Sequence, residues 1–236
     1  MEHLNVKIVD KNFDIKCREK NLVRLCKNYL TDEKPDFYIE ITEEDVKRET
    51  EKSDELKSFS YGYLETLAAY RKICDILASY GSILVHGASI CVDHKTFLFT
   101  AKSGVGKTTH IKMWLENVPG AYVVNGDKPI VTIKDGNVLI SGTPWAGKES
   151  LENNVTEPLT AVVFVHRADE NKIVPVKKSE AFIKLFGQVH KPKDPVKMSE
   201  VVKTIEIITN NLVFYDLYCN MEPEAVIVSS KELLKL

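Results

Sequence analysis

Long apolar runs are missing from this chain. Nowhere in its 236 residues do 18 apolar side chains follow one another, which excludes a membrane-spanning helix on length alone. Cysteine is scarce and scattered: Cys17, Cys26, Cys74, Cys91 and Cys219 are odd in number and form no C-x-x-C pair. That spacing argues against a disulfide framework or a zinc site and for a reducing compartment. An excess of one charge is missing too. With 32 Lys and Arg against 34 Asp and Glu, the formal net charge is −2, so the whole protein has no electrostatic attraction for nucleic acid or an anionic membrane. The amino terminus, Met1-Glu-His-Leu-Asn-Val-Lys-Ile, has no basic region ahead of an apolar stretch, and no signal peptide is expected. There is no internal repeat and no low-complexity tract. These absences leave a cytoplasmic globular protein as the expectation. Its 44% hydrophobic and 28% charged residues fit that class, and its length suits one large or two small domains.

What the chain has is concentrated in Phe97-Leu-Phe-Thr-Ala-Lys-Ser-Gly-Val-Gly-Lys-Thr-Thr109. Apolar and β-prone residues give way to a glycine-bearing loop and then to a helical pattern running to Asn117. Ala101–Thr108 departs by one residue, Ala101, from the phosphate-binding loop pattern G-x-x-x-x-G-K-[ST]. Gly104 and Gly106 open backbone dihedrals closed to residues with a Cβ, so that successive N–H groups can turn inward as a nest for phosphate oxygens. The helix that follows adds its unpaired donors and the positive end of its dipole. Lys107 is placed to reach terminal phosphates, and the Thr108 hydroxyl to hold Mg²⁺. The nucleotide-binding residues expected are Ser103, Gly104, Val105, Gly106, Lys107, Thr108 and Thr109.

Residues 4 to 16 alternate apolar and polar about Asp10-Lys-Asn12, a hairpin pattern. Phe37–Thr42 reads as a strand, and Thr42 caps a helix with Asp45 as its capping-box partner. From Tyr61 to Tyr80 apolar residues recur at helical spacing until Gly81, a helix expected to pack across the sheet. Ser82–Val92 reads as two short strands interrupted at His86-Gly87; a histidine there either meets a phosphate or is hydrogen-bonded in the core. Ala121–Asp127 is an apolar strand with a polar end. Asp127, where ligands of such sheets sit, is either a partner for Mg²⁺ or its water, or a turn aspartate. Asn125 is the less certain member of that cluster, since Asn-Gly is itself a turn dipeptide. Residues 130–141 form a hairpin about Asp135-Gly-Asn137, which argues against an all-parallel sheet. Gly142–Lys148 is a rigid loop expected near the ligand, carrying Trp145 and Lys148. Ala161–Val165 is a central strand whose end, His166-Arg167, meets phosphate or forms a surface ion pair. Helices are expected over 179–189, 197–210 and 223–236, with a strand over 211–219.

Four segments together resemble one family: Leu84-Val-His-Gly87, Ala101–Thr108, Val124-Asn-Gly-Asp-Lys-Pro129 and Gly142-Thr-Pro-Trp-Ala-Gly-Lys148. They are similar to the kinases related to HPr kinase/phosphorylase, which share their catalytic core with ATP-dependent phosphoenolpyruvate carboxykinase. The resemblance covers roughly residues 60 to 220. It implies an α/β fold, with a phosphate-loop core built on a mixed twisted sheet with flanking helices (59–236) and a small amino-terminal α/β portion (1–58). It implies ATP, or GTP, with Mg²⁺, and transfer of the γ-phosphoryl group to a hydroxyl; relatives act on a serine of a carrier protein, on free serine or on a serine of a modified peptide. Lys107, His86 and Asp127 would carry the chemistry, Thr108 and Asp127 the metal, and Asn125, Trp145, Lys148 and Arg167 would line the substrate side. A homo-oligomer is compatible with the resemblance, and the acceptor is left open. One position departs from the pattern: the first of two paired aspartates, the expected base, is Gly126 here. A nucleotide-binding accessory protein that has lost catalysis is therefore the alternative. A carboxykinase-like lyase is disfavoured because the two main motifs lack clustered arginines, and an ordinary P-loop ATPase would not need the His86-Gly87 break.

Overall fold

The computed structural model describes residues 1–236, apart from the side chain of Glu55. Contacts divide the chain into two compact units, Met1–Ile76 and Leu77–Leu236. The division expected at 58/59 differs from this in assigning the long helix to the core.

In the first unit β1 (Glu2–Ile8) and β2 (Lys11–Cys17) pair antiparallel, with Ile8 opposite Lys11. The turn is Val9-Asp10, a residue ahead of the expected one. Val9 takes a φ of 61°, as the first central residue of a two-residue hairpin loop must. Then come α1 (Lys20–Leu25), β3 (Phe37–Glu40, parallel to β2) and α2 (Glu43–Thr50). The alternation that predicts the hairpin buries Leu4, Val6, Ile8, Phe13 and Ile15 on one face, each burial contributing about 1.5–3 kcal/mol. At the start of α2 the Thr42 hydroxyl accepts from the Asp45 N–H at 3.2 Å and the Asp45 carboxylate accepts from the Thr42 N–H at 2.8 Å. The helix α3 (Tyr61–Leu77) is held by polar anchors within this unit. Glu65 is fully buried and accepts the backbone N–H groups of Arg18 and Glu19 at 2.6 and 2.9 Å. Arg71 donates to buried Glu49 at 2.8 Å.

The second unit includes the end of the helical stretch at Gly81, at φ 67°. Its nine-stranded sheet holds β4 (Ser82–Leu84), β5 (Gly87–Val92), β6 (Lys95–Thr100), β7 (Tyr122–Asn125), β8 (Ile130–Lys134), β9 (Asn137–Ser141), β10 (Thr156–Arg167), β11 (Lys172–Pro175) and β12 (Val213–Cys219). The helices are α4 (Lys107–Asn117), α5 (Lys178–Phe186), α6 (Pro195–Asn211) and α7 (Glu224–Leu233). The sheet is mixed, as the 130–141 hairpin predicts. Twelve-residue β10 joins its halves: Thr156–Pro158 pair antiparallel with β9, and after a register shift between Leu159 and Ala161 the strand runs parallel to β6 and β12. Both faces of this parallel part are covered, which explains why its strands read as near-continuous apolar runs. Phe97, Phe99, Val163 and Val165 pack with Trp114 of α4 and Val226 of α7; Leu98, Val162 and Phe164 pack with Leu185 of α5 and Ile205 of α6. All five cysteines are free and buried.

Candidate functional site

The site follows from strand direction. β6, β10 and β12 are mutually parallel, and β7 joins them because it and β6 both run antiparallel to β5. Their carboxyl ends meet at one edge, where β5 also begins. In spatial order the edge presents the Asp127 turn after β7, His86 ahead of β5, the phosphate loop after β6, and His166-Arg167 at the end of β10. Sheets of this kind bind ligands at such an edge.

The loop between Thr100 and Lys107 carries both glycines at positive φ, 79° at Gly104 and 119° at Gly106, and a Cβ built on either meets no atom within 4 Å. Among the described residues, the N–H groups of Gly104, Gly106, Lys107 and Thr108 donate to no protein acceptor. Arg167 braces the loop from the next strand, donating to the Val105 carbonyl at 3.0 Å and to the Gly104 carbonyl. This engagement with the backbone is a contact that the sequence did not suggest. Lys107 is buried, with its ammonium donating to the carbonyls of Ala101 and Lys102 at 2.9 and 3.3 Å. Burial lowers its pKa, and the charge of Asp127 works in the opposite direction. Lys107 and Asp127 are thus close enough to feel one another.

Asp127 is fixed from several sides. Its carbonyl accepts from the Gly87 N–H at 2.9 Å, which ties the strand break to the aspartate turn. Its Oδ1 lies 3.4 Å from His86 Nε2, and its Oδ2 pairs with the Lys128 ammonium. Burial pushes the carboxyl pKa up, but the hydrogen bond from His86 and the Lys128 charge outweigh it and bring the value down to about 2. The group is therefore ionised at neutral pH. Gly147 of the 142–148 loop packs on it, its Cβ position 3.1 Å from Asp127 Cβ; the loop does approach the aspartate.

The remaining expected residues behave differently. Asn125 is fully buried, its Nδ2 donating to the Thr143 carbonyl at 2.9 Å and its Oδ1 accepting the N–H groups of Asp127 and Lys128 at 2.9 and 2.7 Å. It shapes the turn and offers nothing outward, correcting its place among substrate-lining residues. Trp145 is buried at 6% exposure, while Lys148 is exposed. Ser103 is exposed, and Thr108 and Thr109 are half-buried. Lys128 was not expected. It lies beside Asp127 in a quoted motif, but only the fold shows its ammonium turned back onto that carboxylate.

A cleft opens on each sheet face beside the loop. One, of about 490 Å³, lies on the α4 side and is lined by Val105, Thr109, His110, Met113, Val165 and Met221 among others. His110 there accepts the Trp114 indole N–H at Nε2, 3.1 Å away, and burial lowers its pKa to about 4, so it is neutral. The other, of about 420 Å³, lies on the α5 side against Thr100, Ala101 and Lys102. Among the described residues no three His, Cys, Asp or Glu side chains cluster as metal ligands. No helix there is long and apolar enough to cross a membrane.

No protein-family model and no curated protein matches the chain. Among solved structures it is similar to the Hpr(Ser) kinase/phosphatase from Coxiella burnetii, at a TM-score of 0.37 and 9% identity, over 64% of this chain and 93% of that one. That is a distant likeness of fold, without bearing on the chemistry.

Proposed function

We propose that the chain is a phosphotransferase moving the γ-phosphoryl group of ATP, or GTP, to an acceptor hydroxyl such as that of a serine. One observation carries the proposal: a phosphate loop with free donors and a buried lysine shares a sheet edge with an ionised aspartate held by histidine. In this reading the unpaired N–H groups of Gly104, Gly106, Lys107 and Thr108 receive phosphate oxygens. Lys107 offsets the charge that spreads over the transferred phosphoryl group, the main task of such a site. Magnesium fits the residues present. The Thr108 hydroxyl has no partner among the described residues, Asp127 is ionised, and Mg²⁺ takes only one or two protein oxygens beside substrate phosphates and water. Thr108 and Asp127 would hold it, and when bound it would supply further charge neutralisation. The Asp127–His86 pair is then the group at this edge able to take the proton of the acceptor hydroxyl.

The second reading, a nucleotide-binding accessory protein, is favoured by Gly126. A Cβ there would lie 3.1 Å from the Ala146 carbonyl oxygen and 3.2 Å from both Leu151 Cβ and its carbonyl oxygen. The chain closes over this position: the Gly126 N–H donates to the Leu151 carbonyl at 2.8 Å.

Calorimetric titration with ATP and Mg²⁺, on wild type and Lys107→Ala, tests the proposal. Magnesium-dependent binding is expected in the wild type, at least tenfold weaker in the variant at unchanged melting temperature. Equal binding by the two proteins would sink the site. Slow ADP release by the wild type, lost in Asp127→Asn, supports the phosphotransferase; binding without ADP release supports the accessory protein.

A further inference from the structure

The cleft on the α5 side holds a group of charged residues that the reaction above does not use. Its titratable lining residues are Lys102, His166, Arg167 and Lys184, and among the described residues no carboxylate lines it. Two of these are positioned from behind by one acid. Asp216, on β12 and 6% exposed, accepts from His166 Nε2 at 2.7 Å and from Lys184 Nζ at 2.8 and 2.6 Å. The His166 ring is also stacked on Tyr218, with centroids 4.8 Å apart. The ammonium of Lys184 lies 5.5 Å from the centre of the Phe164 ring. Such fixing lowers the entropy lost when a ligand is gripped. The other partner of Lys184, Glu180 at 2.7 Å, is 54% exposed, and exposed pairs of this kind are weak; an incoming anion can replace it. Lys102 is exposed and its ammonium has no partner among the described residues.

Position gives this charge a meaning. Thr100, Ala101 and Lys102 form both the cleft wall and the entry to the phosphate loop, and the Ala101 and Lys102 carbonyls hold the Lys107 ammonium. Gln188, also in the lining, accepts the His86 N–H through its carbonyl at 2.8 Å. An occupant would therefore lie against the loop on the face opposite the α4-side cleft.

We propose that this cleft is an anion-recognising subsite for the acceptor, taking a molecule that carries a carboxylate or phosphate group held by Lys102, His166 and Lys184. Its role for the acceptor rests on the phosphotransferase proposed above; the anion site does not, because none of the three side chains that would grip the anion is needed to bind nucleotide at the loop. Arg167 is engaged by the loop carbonyls and is left out of the grip.

The test uses the full chain carrying Lys107→Ala, which weakens anion binding at the loop, with inorganic phosphate and acetate as probes at constant ionic strength. The Cε1–H resonance of His166 is followed by NMR. A saturable shift is expected with at least one probe, and the tighter of the two identifies a phosphorylated or a carboxylate-bearing acceptor. Adding Lys184→Gln should raise the dissociation constant at least tenfold. Lys102→Gln, at an exposed position that leaves folding intact, should raise it several-fold and decides the matter should Lys184→Gln fail to fold. An unmoved His166 resonance with both anions, or constants unchanged by these substitutions, overturns the proposal. Loss of ATP binding with retention of the His166 response, or the reverse, separates its failure from that of the phosphotransferase.

Discussion

Asp127 has a folded-state pKa of about 2 against an ordinary value of 3.8. Between those values the unfolded chain binds the proton and the folded one does not, so the contribution of this group is complete above about pH 4 and is lost as pH falls through about 2. Its size is on the order of 2 kcal/mol. In Asp127→Asn the fall in urea midpoint from pH 4 to pH 2 should be visibly shallower than in the wild type; parallel curves would show that His86 and Lys128 do not hold the carboxylate as described. A neighbouring residue carries the opposite expectation. Restoring an aspartate at Gly126 would look like repair from sequence alone, yet its Cβ would press on two carbonyl oxygens at 3.1 and 3.2 Å. Gly126→Asp should cost about 1–3 kcal/mol in chemical denaturation and bring no gain in turnover. Lys107 and Asp127 were legible as candidates because local chemistry, a glycine loop and a polar strand end, announced them. The roles of Asn125 and Lys128 were not, since they depend on where Thr143 and the Asp127 side chain come to lie.

Elements were legible where one periodicity ran without interruption. The first hairpin, the 130–141 hairpin, the long helix after Tyr61 and the break at His86-Gly87 all follow from patterns of period two or 3.6 and from turn residues. The capping box at Thr42 was legible because it is written within four residues. Thr42→Ala removes its hydroxyl and should lower stability by about 1 kcal/mol, with nucleotide binding unaltered; denaturant midpoints with a binding control would check both. Two short elements escaped notice. The six residues of α1 are too few to show an apolar stripe, and β11 has four residues and is exposed along most of its length. The extent of β10 also escaped, because Pro158 and the register shift near Leu159 obscure the place where it changes partners. The helix α3 runs as predicted, but its anchors Glu65 and Arg71 reach partners 47 and 22 residues away, all within the first unit.

For the molecule as a whole, the decisive feature is the set of parallel carboxyl ends that gathers residues remote in sequence. His166 and Asp216 lie 50 positions apart, Lys184 and Asp216 32, and no local pattern could have joined them. Mass action gives the edge a measurable signature: ATP and Mg²⁺ at a hundred times the dissociation constant should stabilise the unit that binds them by about 2.7 kcal/mol. The buried cysteines offer a way to see which unit that is. Burial raises the pKa of Cys17 to about 11 and of Cys26 to about 12, and moves Cys74 and Cys219 upward as well. Since alkylating reagents attack the thiolate, these sulfurs react chiefly when the chain opens around them. Three of them, Cys17, Cys26 and Cys74, belong to Met1–Ile76, and Cys91 and Cys219 to Leu77–Leu236. Peptide-resolved labelling with iodoacetamide should show nucleotide slowing modification at Cys91 and Cys219, and equal slowing at all five would mean that the units open together. The protein carries its own internal clocks, one set in each unit, that time its local unfolding without any added probe.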